Sequence, residues 1–149
     1  ALIAERQIAI LMQPIFDFAR REPTGFECLS RFAMEPRRSP DQWFNEAGSV
    51  GLGAALELAA IEAALDLGMM LPDPTYVSIN ASAEVLMDDG FDAAIADFPP
   101  DRLVIELTEH AAVHEYVTLS SRLAPLRAAG IKLAIDDAVY APLYLDPEL

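Results

Sequence analysis

Residues 103–137 read LVIELTEHAAVHEYVTLSSRLAPLRAAGIKLAIDD. Leu103–Leu107 is a short apolar run of strand length, with Glu106 set inside it. His114–Ala129 reads as a helix, and Gly130 stands where a helix ends on a left-handed residue. Ile131–Ile135 is a second apolar run and leads into Asp136-Asp137. A strand, a helix and a strand joined by short links is the repeating unit of a parallel sheet.

The same alternation extends toward the N-terminus. Tyr76–Ile79 reads as a strand ending at Asn80, followed by a helical turn at Ala83–Met87 and a short helix at Phe91–Phe98. Pro99-Pro100 stops that helix. Ala54–Met70 is a strong helix former with apolar residues nearly all round, hence buried, and Pro72 and Pro74 close it. Ser39-Pro40 supplies an N-cap and a proline at the first helical position of a short helix around Trp43–Ala47. Phe26–Phe32 alternates with period two, Phe26, Cys28, Ser30 and Phe32 on one side and Glu27, Leu29 and Arg31 on the other, which predicts a strand. Thr24-Gly25 before it reads as a turn. Ile8–Phe16 reads as a first strand with Pro14 near its end, and the short link to the second predicts an antiparallel hairpin. The fold class is α/β with a largely parallel sheet.

The 149 residues are 53% hydrophobic, enough for a substantial core, and no stretch is disordered by composition. With 24 acidic residues against 10 Lys and Arg, the net charge is -14, which argues against a DNA- or RNA-polymer surface. It does not exclude a small phosphate ligand, because a cation can supply positive charge locally. The lone cysteine, Cys28, suits a reducing compartment, so a cytoplasmic location is expected. Ala1–Ile10 carries Glu5 and Arg6 and does not read as a signal peptide. No apolar run approaches the ~20 residues of a membrane span, and a membrane anchor upstream stays open.

In parallel α/β folds ligands bind beyond the carboxyl ends of the strands. Those ends carry Asn80, Glu106, Asp136 and Asp137, and Glu27 lies within its strand. Crowded carboxylates repel unless protonated or bound to a cation, and an all-oxygen set suits Mg²⁺ or Mn²⁺. Adjacent aspartates among other carboxylates can hold two ions. A plainer reading makes Asn80 or Asp137 a helix N-cap. Glu106 resists it, because a carboxylate between apolar neighbours needs a partner. Arg31 also reads as a surface ion-pair partner, Cys28 as core, Trp43 and Phe44 as packing, and His110 and His114 as surface residues at a helix start.

Five segments, in order, resemble the signatures of the EAL domain family. Gln13-Pro14-Ile15 resembles the family's first strand, and Phe26-Glu27-Cys28-Leu29-Ser30-Arg31 its name-giving motif, with Cys28 at the middle alanine. Ser78-Ile79-Asn80-Ala81-Ser82 resembles its S-x-N strand end. Ile105-Glu106-Leu107-Thr108-Glu109 resembles its E-x-T-E segment, and Leu133-Ala134-Ile135-Asp136-Asp137 its DD segment.

The resemblance implies a TIM-like (β/α)₈ barrel with an antiparallel first strand, and a two-metal phosphodiesterase that opens cyclic di-GMP to linear pGpG. A complete barrel takes about 200–250 residues, so residues 1–149 correspond to the N-terminal portion of such a domain. By similarity, Glu27, Asn80, Glu106 and Asp136 hold a first Mg²⁺ or Mn²⁺, with Asp136 shared with a second ion that Asp137 also binds. Arg31 contacts a substrate phosphate, Gln13 lines the nucleotide pocket, and Glu109 braces the loop after the DD segment. The family's catalytic Lys is not among these residues. The resemblance further implies fusion to sensor or cyclase-like domains and a capacity for homodimers. The chain departs from the pattern after Asp137, where Ala138-Val139-Tyr140-Ala141-Pro142-Leu143 stands in place of a Gly-rich loop. Two other functions therefore stand beside hydrolysis. One is a catalytically inactive EAL domain that senses cyclic di-GMP or contacts a partner, and the other is an unrelated α/β metal hydrolase.

Overall fold

A computed structural model of the chain describes residues 7–108 and 116–135. Five strands form one sheet: β1 (Ile8–Asp17), β2 (Glu22–Phe32), β3 (Tyr76–Ser82), β4 (Leu103–Thr108) and β5 (Lys132–Ile135). Their spatial order is their chain order. β1 and β2 pair antiparallel, and β2, β3, β4 and β5 run parallel. The expected hairpin and parallel sheet are both present.

Between the strands lie α1 (Pro40–Ser49), α2 (Gly53–Gly68), α3 (Ala83–Leu86), α4 (Gly90–Ile95) and α5 (Tyr116–Ala128), with a 3-10 turn at Pro100–Arg102. Ser39 caps α1 as expected and forms a capping box, its hydroxyl accepting from the Gln42 N–H while the Gln42 side chain accepts from the Ser39 N–H. At the end of α5, Gly130 adopts φ +107. Its N–H donates to the Arg127 carbonyl at 3.0 Å, and the Ile131 N–H donates to the Leu126 carbonyl at 3.2 Å. This pair of bonds is a Schellman closure. It turns the chain directly into β5.

One face of the sheet makes the core. Val77, Ile79 and Ala81 of β3, Leu103 and Ile105 of β4 and Cys28 of β2 are buried there. They pack against Ile61, Ala64 and Leu65 of α2, Val85 and Leu86 of α3, Phe91 of α4, and Leu119 and Leu126 of α5. Each large side chain so buried contributes about 1.5–3 kcal/mol of transfer free energy. Two arginines tie the helical layer together. Arg122 of α5 donates to the Leu86 carbonyl at 2.6 Å and grips both carboxylate oxygens of Asp92. Buried Arg102 donates to the carbonyls of Thr75 and Leu71 and lies over the Phe98 ring.

One expectation is corrected. Thr24-Gly25 is not the turn, because both residues lie within β2. The turn is Phe18–Arg21, nucleated by Asp17, whose Oδ1 accepts from the Ala19 and Arg20 N–H groups. Gly25 serves another purpose: a Cβ there would sit 2.5 Å from the Tyr76 ring on β3. Pro14 stands near the end of β1, as expected, three residues before Asp17. Among the described residues β1 is an edge strand, where proline is tolerated.

Candidate functional site

Strand pairing gathers the candidate residues on the face opposite the helical core. Side chains alternate across a strand, and partners in register share a face. Gln13 pairs with Glu27, Glu27 with Ser78, Asn80 with Glu106, and Glu106 with Ala134. Glu27, Asn80 and Glu106 therefore rise from three adjacent strands on one face, and Gln13 adjoins Glu27 on a fourth. Asn80 and Glu106 each stand two residues before the C-terminal end of their strand. This is the end at which parallel sheets place their ligands.

The Asn80 side-chain oxygen is buried and has no hydrogen-bond partner among the described residues. A buried acceptor left without a donor costs about 1–3 kcal/mol. The N-cap reading of Asn80 is not supported, because the cap of α3 is Ser82, whose hydroxyl accepts from the Val85 N–H at 3.2 Å. Beside Asn80, the Glu106 carboxylate accepts from the Ser78 hydroxyl at 2.5 Å. Ser78 is buried, so this donor is withheld from water. An amide oxygen, a partly buried carboxylate and Glu27 make an all-oxygen set that fits a hard divalent cation. Among the described residues no three His, Cys, Asp or Glu side chains form a cluster able to hold an ion. Asp136, Asp137 and Glu109, which the sequence adds to the set, lie outside the described residues, as do His110 and His114.

Arg31 lies two alternations beyond Glu27, on the same face of β2. It is exposed, and its guanidinium donates to the Ser30 carbonyl at 2.8 Å. No ion pair engages it among the described residues, which leaves the surface-pair reading without support. Cys28 points the other way, into the core. Burial, with the neighbouring Glu27 charge adding to it, pushes its thiol up from 9.0 to about 11. Phe32 packs against Trp43 and Phe44 of α1, with ring centroids 6.0 and 5.6 Å apart, so both aromatics serve packing.

The family model for the EAL domain matches residues 1–141. The chain belongs to the EAL domain family. An uncharacterized signaling protein of Caulobacter vibrioides is 27% identical over 143 residues, covering 91% of this chain and 18% of that protein. Among solved structures, Klebsiella pneumoniae BlrP1 in a manganese and cyclic di-GMP complex is 28% identical, with a TM-score of 0.72 over 93% of this chain and 37% of that one. The PaMucR phosphodiesterase in complex with cyclic di-GMP superimposes with a TM-score of 0.75 at 23% identity, over 91% of this chain and 60% of that one. The mixed five-stranded sheet of this EAL domain thus matches TIM-barrel-like EAL structures. The chain spans less than two thirds of the length of each of these relatives.

Sequence reasoning missed two supporting residues of this EAL face. Ser78 stood in the S-x-N segment, but its role depends on Glu106, 28 residues away. Glu57 on α2 accepts from both the backbone N–H and the hydroxyl of Ser82. Nothing local to α2 marks Glu57 as more than a charge on an apolar helix.

Proposed function

We propose that this EAL domain binds cyclic di-GMP and hydrolyses it to linear pGpG with divalent ions, Mg²⁺ or Mn²⁺, held at the C-terminal ends of its parallel strands. The observation that carries this reading is the Asn80 oxygen, unpartnered among the described residues, in register with Glu106 and on the same face as Glu27. Glu27, Asn80 and Glu106 would hold a first ion together with Asp136, and Asp136 and Asp137 a second. Bound there, such ions would polarise the phosphate and lower the pKa of a water. Overall, water adds across one phosphodiester bond: its oxygen joins phosphorus and a proton reaches the departing ribose oxygen.

The chain's own residues do the rest. Arg31 offers a planar fork of donors suited to a phosphate, from an exposed position on the same face. Gln13, in register with Glu27, borders the nucleotide. Ser78 orients Glu106. Glu109 is assigned the loop after Asp137. Residues 1–149 are read as the N-terminal portion of the domain, in line with the share of the PaMucR chain they cover. Fusion to sensor or cyclase-like domains, homodimerisation and a cytoplasmic setting belong to the same reading. No helix among the described residues is long and apolar enough to cross a membrane.

A second reading has its own observation. Residues 138–143, AVYAPL, hold no glycine where family members carry a Gly-rich loop. On that reading the domain binds cyclic di-GMP without turnover, as a sensor or interaction module. Turnover by the full-length protein with Mg²⁺ or Mn²⁺, beside a Glu27→Ala variant, separates the two. pGpG formation that vanishes in the variant supports hydrolysis. Binding without pGpG formation supports the sensor.

A further inference from the structure

Both carboxylate oxygens of Glu57 on α2 accept from Ser82. Its Oε2 accepts from the Ser82 backbone N–H at 2.9 Å and its Oε1 from the Ser82 hydroxyl at 2.6 Å. The same hydroxyl accepts from the Val85 N–H, capping α3. Capping α3 needs only that hydroxyl. The carboxylate adds a two-point, charge-assisted clamp on the residue where β3 stops. Ser82 is two residues beyond Asn80, at the end of β3. The clamp therefore fixes the short backbone segment that presents the Asn80 amide.

The second observation is independent of the clamp. Asn80 Oδ1 is buried and has no partner among the described residues. A buried acceptor without a donor among the described residues suits a ligand that those residues do not supply. We propose that Glu57 is a positioning residue, setting the height and orientation at which the Asn80 oxygen meets a divalent cation. The proposal rests on the reading of Asn80 as a metal ligand. Partners behind a ligand typically change metal affinity by about 10–100-fold when removed, although they never touch the ion.

The test is Mn²⁺ binding to the metal-stripped full-length protein, followed by the loss of the free-ion electron paramagnetic resonance signal. Glu57→Ala is expected to raise the Mn²⁺ Kd roughly tenfold or more. Glu57→Gln can still accept from the Ser82 N–H and donate to its hydroxyl, so it should stay within about threefold of the parent. That rescue separates clamping from charge. Should Glu57→Ala not fold, Ser82→Ala removes one arm of the clamp and is expected to raise the Kd several-fold. A folded Glu57→Ala or Ser82→Ala protein with the parent's Mn²⁺ Kd overturns the positioning role. A parent that binds no Mn²⁺ overturns the ligand reading beneath it, and the two failures are told apart by the parent's own titration.

Discussion

The Ser78 hydroxyl donates to the Glu106 carboxylate at 2.5 Å, across two neighbouring parallel strands. Ser78 is paired in register with Val104, two residues before Glu106, so the bond runs diagonally up the sheet. It occupies one lone-pair direction of the carboxylate and fixes its rotamer.

Ser78→Ala removes that donor at a buried position. Stability is expected to fall by about 1–3 kcal/mol, read from chemical unfolding. Mn²⁺ affinity is expected to fall by about tenfold. Ser78→Thr keeps the hydroxyl but adds a methyl group to a packed strand, so affinity should recover more fully than stability.

Asn80→Ala separates folding from function in the opposite direction. The parent bears a buried oxygen with no partner among the described residues, and its removal offsets the packing lost with the side chain. In the metal-free protein the unfolding free energy should stay within about 1 kcal/mol of the parent. The rise in Tm on adding Mn²⁺, expected for any ligand that binds only the folded state, should be lost. A variant that keeps the full Mn²⁺-dependent rise would remove Asn80 from the ligand set.

Gly25→Ala tests the close approach of β2 and β3. The added Cβ would meet the Tyr76 ring at 2.5 Å, forcing the ring or the strand to move. A loss of about 1–3 kcal/mol is expected, measured by thermal or denaturant unfolding. Gly25→Ala combined with Tyr76→Ala should cost less than the two single changes added together, since the clash needs both partners.

Cys28 should be inert in the folded protein. Its thiol is buried and its pKa lies near 11, so almost no thiolate exists at pH 8. Alkylation should be slow in the native state and rapid in denaturant. The sign of the linkage follows from a folded pKa raised above the unfolded one. The stabilisation from keeping this thiol neutral is fully present below the ordinary value of 9.0 and is lost as pH rises through about 11.

Much of this was legible in the sequence for definite reasons. The strand–helix–strand unit from Leu103 to Ile135 announced itself through apolar runs and Gly130, because its signals are local. The sides of β2 followed from period two alone. What escaped depended on distant partners. Gly25 looks like a turn until Tyr76, 51 positions away, is packed upon it. Asn80 and Ser82 are both good N-caps by residue type. The choice between them is made by where β3 stops, a point that Glu57 holds from another element. The roles assigned to Asp136, Asp137 and Glu109 rest on the sequence resemblance.

The measurement that bears most directly on the central claim is pGpG formation from cyclic di-GMP by the full-length protein, stripped with EDTA and then titrated with Mn²⁺, with Glu106→Gln alongside. The account predicts no product after stripping, a saturable return with Mn²⁺, and little or no return in the variant. Equal turnover in the stripped parent, or in Glu106→Gln, would contradict it.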